Sequence, residues 1–182
     1  MAGSMIVVSS SFNMISDEIR NAYNPFESCA SAQMLIKNER SDEMILSVSR
    51  RTDIPNYYSE WFYNRIKEGF LYVRNPMNAH QISEIKITPD VVDCIVFWTK
   101  NPLPMMKRLD EIKDYNYYFQ FTLTGYGNDV EANLPNKKTK MIPVFQNLSE
   151  KIGKQKVIWR YDPIFFSDRY TKEYHLKAFK SI

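Results

Sequence analysis

The sequence predicts an α/β fold, a parallel sheet of about four to five main strands flanked by helices. Three observations predict it. From Met44 to Ile182, strand-length apolar segments alternate with segments of helical periodicity. Val92–Trp98 is a near-continuous apolar run, which suits a central parallel strand covered on both faces. Short polar motifs end one strand after another: S-R-R-T-D-I-P (Ser49–Pro55), R-N-P (Arg74–Pro76), F-W-T-K-N-P (Phe97–Pro102), T-L-T-G-Y (Thr122–Tyr126) and W-R-Y-D-P (Trp159–Pro163). In a βα repeat the C-terminal strand ends converge on one face, where active sites form. Two closures fit the pattern, an open doubly wound sheet or part of a barrel.

Element by element, residues 1–43 stand apart: they are rich in Ser, Asn and acidic residues and have only short apolar runs such as Met5–Val8. Met44–Val48 reads as a first strand. A helix follows from about Asn56 to Glu68, with Gly69 as its C-terminal stop. Phe70–Val73 reads as a second strand, and Gln81–Ile87 as a hairpin-like extension. After Val92–Trp98, Pro102 and Pro104 open a helix through Asp114, proline being favoured in a first turn. Tyr117–Leu123 is the next strand. It turns Phe119, Phe121 and Leu123 to one side and Gln120, Thr122 and Thr124 to the other, so that in a barrel the polar side would line the interior near the mouth. A Lys- and Asn-rich loop precedes a helix from Ile142 to Lys151, stopped by Gly153. Val157–Tyr161 is a further strand, and Thr171–Ile182 a last helix.

Composition bounds the function. The 182 residues, 44% hydrophobic and 14% aromatic, suit one folded domain. The net charge is +3, but residues 1–43 carry −3, which leaves +6 on the rest. A mildly basic body fits an anionic ligand such as a phosphate-bearing small molecule, or nucleic acid, and equally fits ordinary solvated lysine. No apolar stretch approaches the roughly 18 residues of a membrane span, and no signal peptide is evident, so the cytoplasm is the expected compartment. Cys29 and Cys94 are far apart without metal-ligand spacing, and Cys94 reads as a buried core thiol. His80 and His175 lack partners at catalytic spacing, and neither a Walker loop nor G-x-G-x-x-G occurs.

Arginine, aspartate, lysine and asparagine are poor core residues, so their recurrence where apolar strands stop marks candidate ligand contacts. Arg50 and Arg51 offer planar forks for phosphate or carboxylate. Asp53 orients one of them, acts as an acid or base, or caps the following helix. Arg74 and Asn75, then Lys100 and Asn101, are an anion-binding pair each or surface residues beside a proline turn. Gln120, Thr122 and Thr124 are candidate hydrogen-bonding groups. Arg160 and Asp162 lie two apart, on one side of a strand, as a ligand contact or an internal ion pair. Gly125 and Gly127 bring backbone close to a ligand or form a turn.

Taken in order, S-R-R-T-D-I-P, V-R-N-P, D-C-I-V-F-W-T-K-N-P, Y-Y-F-Q-F-T-L-T-G-Y, L-S-E-K-I-G and V-I-W-R-Y-D-P-I resemble the bacterial family named domain of unknown function 1848, over Met44 to Ile182. Members usually begin near the position of Met44, so the resemblance makes residues 1–43 an N-terminal extension and 44–182 the N-terminal portion of a (β/α), TIM-like barrel domain. Full-length members carry a C-terminal cysteine cluster that resembles the iron–sulfur ligands of radical S-adenosylmethionine enzymes. T-K-N, F-T-L-T and D-P-I also look like spore-photoproduct-lyase-type radical enzymes. The resemblance thus implies an iron–sulfur cluster and S-adenosylmethionine in full-length relatives. Such a cluster needs thiolates, and two cysteines cannot supply three or four, so no cofactor is expected in this chain. A barrel needs about eight strands, and the chain has roughly half of them. The expectation is therefore a truncated partial barrel, not active alone. The rival expectations are a binding module for a phosphate-bearing ligand or nucleic acid on the basic strand-end face, or a non-functional fragment.

Overall fold

The computed structural model describes residues 7–9, 44–49, 52–75, 77–78 and 80–182. In chain order the elements are β1 (Val7–Ser9), β2 (Ile45–Val48), α1 (Ile54–Tyr57), α2 (Ser59–Glu68), β3 (Phe70–Arg74), β4 (Ile82–Lys86), β5 (Cys94–Thr99), α3 (Leu103–Met106), β6 (Tyr117–Thr122), α4 (Ile142–Ile152), β7 (Val157–Arg160) and α5 (Lys172–Ser181). The architecture is mixed α/β. Its main sheet runs β1-β2-β5-β6-β7, with β2, β5, β6 and β7 mutually parallel and β1 antiparallel on the β2 edge. The four parallel strands therefore lie side by side in the order in which the chain makes them.

Strand alternation sorts the sheet into two unlike faces. Register aligns Leu46, Ile95 and Tyr117 in one row, then Val48, Phe97, Phe119 and Val157, then Thr99, Phe121 and Trp159. All of these are buried except Trp159, which is half-buried. Helices cover this face. Phe62 of α2 meets Phe97 edge-on at 5.3 Å, Phe145 of α4 meets Phe121 at 5.4 Å, and Phe179 of α5 stacks on Trp159 at 4.6 Å. Fully buried rings such as Phe62, Phe97 and Phe119 each contribute about 1.5–3 kcal/mol of burial. The opposite face aligns Ser47, Val96 and Tyr118, then Trp98, Gln120 and Ile158, then Thr122 and Arg160. Of these only Val96 is buried; the others are half-buried. Among the described residues, every ring contact between a helix and a main-sheet strand falls on the first face or on Tyr161 beyond it.

Several expectations need correction. Phe70–Arg74 does not join the main sheet; it pairs only with β4, as an antiparallel hairpin. One side of this strand is wet, with Tyr72 60% exposed, and its partner carries Ser83, Glu84 and Lys86. A central parallel position, buried on both faces like β5, would strand those groups without water. The helix expected over 56–68 starts earlier and is split. Asp53 caps α1 with Pro55 in its first turn, and Tyr58, at φ −133°, separates it from α2. Gly69 stops α2 in the left-handed conformation, as expected. The helix expected through Asp114 is likewise broken, because Arg108 leaves helical dihedrals at φ −126° between α3 and a 3₁₀ turn, Leu109–Ile112. Residues 7–9, within the segment that stood apart by composition, form the sheet's edge strand.

Candidate functional site

The loops that follow β5 and β6 hold three of the predicted residues, Lys100, Asn101 and Thr124, and Asp53 reaches them from the preceding strand end. Asp53 is half-buried at the turn between β2 and α1. Its Oδ1 accepts from the Asn56 amide (3.1 Å), capping α1, and from the Thr99 hydroxyl (2.7 Å) at the end of β5. Its Oδ2 accepts from the Lys100 amide (2.7 Å). Burial pushes the Asp53 carboxyl up, and the donors from Lys100, Thr99 and Asn56 pull it back without reversing the shift. The cap is therefore also a tie between neighbouring strand ends. Asn101 extends the tie: its amide group donates to Asn56 Oδ1 (2.9 Å), its backbone N–H to Thr99 Oγ1 (3.0 Å), and its Oδ1 accepts from Leu103 (3.3 Å) at the start of α3.

Lys100 and Thr124 are brought together by a residue that the motifs did not point to. Glu131, in the loop after β6, has a side chain only 7% exposed. Its Oε1 pairs with Lys100; its Oε2 accepts from Thr124 Oγ1 (3.0 Å) and pairs with Lys137. Lys137 also donates to the Tyr126 carbonyl. Burial raises the Glu131 carboxyl, but the bonds from Lys100 and Lys137 outweigh it and hold it below its ordinary value. Beside this cluster lies an open cleft of about 410 Å³, whose lining includes Tyr126, Glu131, Asn136, Lys137 and Thr139. Glu131 and Lys137 escaped sequence reasoning because their loop reads as generic polar surface. The only signal was an acid amid lysines shortly after T-L-T-G-Y.

On the opposite face, which no helix ring meets among the described residues, the third group assembles. Arg160 crosses β6 to stack over Trp98 at 4.4 Å, and its Nη2 donates to Asp162 Oδ2 (2.5 Å). A stacked guanidinium of this kind is a modest attraction, about 0.5–1 kcal/mol where exposed. Gln120 and Thr122 lie on the strand between them. The indole Nε1 of Trp98 is buried without a hydrogen-bond partner among the described residues. Trp98 belongs to the motif F-W-T-K-N-P, but only the register shows that it shares a face with Arg160.

Other candidates sit elsewhere or pack. Arg74 and Asn75 lie at the tip of the β3–β4 hairpin, a sheet of its own. Asn75 there closes the turn through Gln81 Oε1 (2.7 Å) and the Met77 amide (2.8 Å). Arg50, Arg51 and Cys29 lie outside the described residues. Gly125 approaches α5, not open space: a Cβ built on it would stand 2.5 Å from Ala178 Cβ and 2.7 Å from the Tyr161 hydroxyl. His175 is buried on α5 and does have partners. The Phe165 carbonyl can only accept, so His175 Nε2 donates to it (3.0 Å) and Nδ1 accepts from the Tyr161 hydroxyl (3.0 Å). His80 is exposed.

Cys94 is 4% exposed within β5, and no three His, Cys, Asp or Glu side chains among the described residues could hold a metal ion together. Nor, among those residues, is any helix long and apolar enough to cross a membrane. A family model described as "Domain of unknown function (DUF1848)" matches residues 45–182. No curated protein and no solved structure matches the chain.

Proposed function

The chain belongs to the family of the domain of unknown function DUF1848, and from that premise we propose that β2, β5, β6 and β7 are consecutive strands of a (β/α) barrel whose inner face binds a small polar ligand. One observation carries this reading. The parallel strands follow chain order, and α2, α4 and α5 lie against a single face. A doubly wound sheet reverses its strand order and covers both faces with helices, whereas a barrel keeps chain order, puts every helix outside and lines its mouth from strand ends.

The inner face then carries Trp98, Gln120, Thr122 and Arg160, with Lys100 and Thr124 at its C-terminal rim. The residues suit recognition. Arg160, with its Cζ 4.4 Å over the Trp98 ring and tied to Asp162, presents a planar guanidinium whose remaining N–H groups can meet a ligand. Gln120 and Thr122 add neutral donors and acceptors between the two, and the buried indole N–H of Trp98 has no acceptor among the described residues. The resemblance to radical S-adenosylmethionine enzymes supports a barrel. The two cysteines of this chain do not make a cluster site, so the reading for these residues is binding and orientation of a ligand.

The test is a titration of the ¹⁵N-labelled protein with S-adenosylmethionine, ATP and citrate, following its three tryptophan indole N–H signals. The expected result is a saturable shift of Trp98 with at least one of them. Trp61, on α2, and Trp159, on the helix-covered face, would act as internal controls. If all three ligands leave Trp98 still, or move Trp159 in its place, the reading fails.

A further inference from the structure

We propose that the Lys100–Glu131–Lys137 cluster is an oxyanion subsite, taking the carboxylate or phosphate of the ligand that the inner face binds; this rests on the reading above. The argument is a donor and charge inventory. Five cations were candidates for anion recognition: Arg50, Arg51, Arg74, Lys100 and Arg160. Arg50 and Arg51 lie outside the described residues, and Arg74 is on the hairpin. Arg160 already meets Asp162 and lies over the Trp98 ring. That leaves Lys100, and the structure gives it a second ammonium group as neighbour.

Lys100 and Lys137 share the single carboxylate of Glu131, so two positive charges meet one negative charge. The side chains are only 39% and 17% exposed, respectively, so water answers the excess incompletely. Each ammonium has three N–H donors. Lys100 spends one on Glu131, and Lys137 spends one on Glu131 and one on the Tyr126 carbonyl. Three N–H donors thus have no acceptor among the described residues.

The surrounding carboxylates do not supply one. Asp53 spends both oxygens on the Asn56 and Lys100 amides and the Thr99 hydroxyl. Asp129 is bound to Tyr170 and Arg169. Glu131 cannot turn away to release its lysines, because Thr124 fixes its Oε2 from the end of β6. The carboxylate therefore holds the two ammonium groups together without cancelling them, and the adjoining cleft, lined by Lys137 and Glu131, gives an anion access. The donors are point charges and not forks, so the site selects an oxyanion by charge more than by bidentate geometry.

The experiment titrates inorganic phosphate, and acetate in a parallel arm, into the protein at constant ionic strength set with chloride, following the side-chain ammonium ¹⁵N signals of Lys100 and Lys137. The expected result is a saturable shift of both. Phosphate acting at lower concentration than acetate would identify a phosphate ligand, and the reverse a carboxylate. Lys100→Met should weaken binding by about tenfold or more, the loss of a charged hydrogen bond, and Glu131→Gln, which removes the shared negative charge, should tighten it. Should Lys100→Met disturb folding, as judged by circular dichroism, the wild-type ammonium shifts decide alone. Ammonium signals that respond to neither anion overturn the subsite, as does an affinity unchanged by a folded Lys100→Met protein. A Trp98 shift with ATP, S-adenosylmethionine or citrate in that case would leave the inner-face reading standing and only this subsite refuted.

Discussion

Replacing Gly125 by alanine should loosen the attachment of α5 to the sheet. The added methyl would lie 2.5 Å from Ala178 Cβ and 2.7 Å from the Tyr161 hydroxyl, against an ordinary carbon–carbon separation of roughly 3.5–4.0 Å. Ala178 Cβ cannot swing aside, because it is fixed to the helix backbone. The whole of α5 must therefore move by about an ångström. That movement strains the bond from the Tyr174 hydroxyl to the Gly125 carbonyl (2.7 Å), the Tyr161–His175 bond and the Trp159–Phe179 stack. Overpacking of this kind costs about 1–3 kcal/mol, and a domain of this size loses about 2–4 °C of Tm per kcal/mol. Urea unfolding of Gly125→Ala, Ala178→Gly and the double variant measures the contact. Ala178→Gly alone should cost about 0.5–1 kcal/mol for a glycine within a helix. The double variant should be clearly less destabilised than the sum of the two, since the second change removes the atom that the first strikes. A neutral Gly125→Ala, or strictly additive effects, would refute the close approach of α5 to the end of β6.

Two further outcomes follow from the buried carboxylates. Asp53→Asn keeps one acceptor oxygen where three donors need two, leaving either the Lys100 amide or the Asn56–Thr99 pair facing an NH₂ group; chemical denaturation should show a loss of about 1–3 kcal/mol, and an unchanged midpoint would dismiss the tie. Glu131 has a folded pKa below its unfolded value, so its contribution is fully present above the ordinary carboxylate range and fades as pH falls through the lowered folded value. Stability measured between about pH 6 and pH 3 should therefore fall less steeply in Glu131→Gln than in the wild type, and parallel curves would remove Glu131 from the lysine clamp.

The parallel strands were legible because their patterns are local. The apolar run 92–98 has too few polar positions to face water and was bound to be central, and the Phe119–Phe121–Leu123 alternation named the buried side of β6 before any partner was known. Stops were legible for the same reason: Gly69 ends α2 at a positive φ that other residues rarely adopt. That the strand expected at Phe70–Val73 stands outside the main sheet was not legible, because pairing partner is not a local property. Its wet side was visible in Tyr72 and Arg74, but only the hairpin gives that side a place.

The candidate site divides along the same line. The strand-end residues Asp53, Lys100, Asn101, Thr124 and Arg160 could be named from the chain, since polar side chains at the ends of apolar strands have nowhere else to go. Two roles were among the alternatives, the Asp53 helix cap and the Arg160–Asp162 ion pair; the ties of Asp53 to Thr99 and Lys100, of Asn101 to Asn56, and of Arg160 to Trp98 were not. The pairing of Lys100 with Lys137 through Glu131 joins residues more than thirty positions apart across an irregular loop. By itself the sequence determined the family, through its motifs taken in order, and the α/β class, because strand, helix and turn preferences act over a few residues. Tertiary structure alone decided that α2, α4 and α5 lay their rings on one face and that Lys100 and Lys137 meet at Glu131, because ring contacts and ion pairs depend on distances through space that the order of residues does not encode.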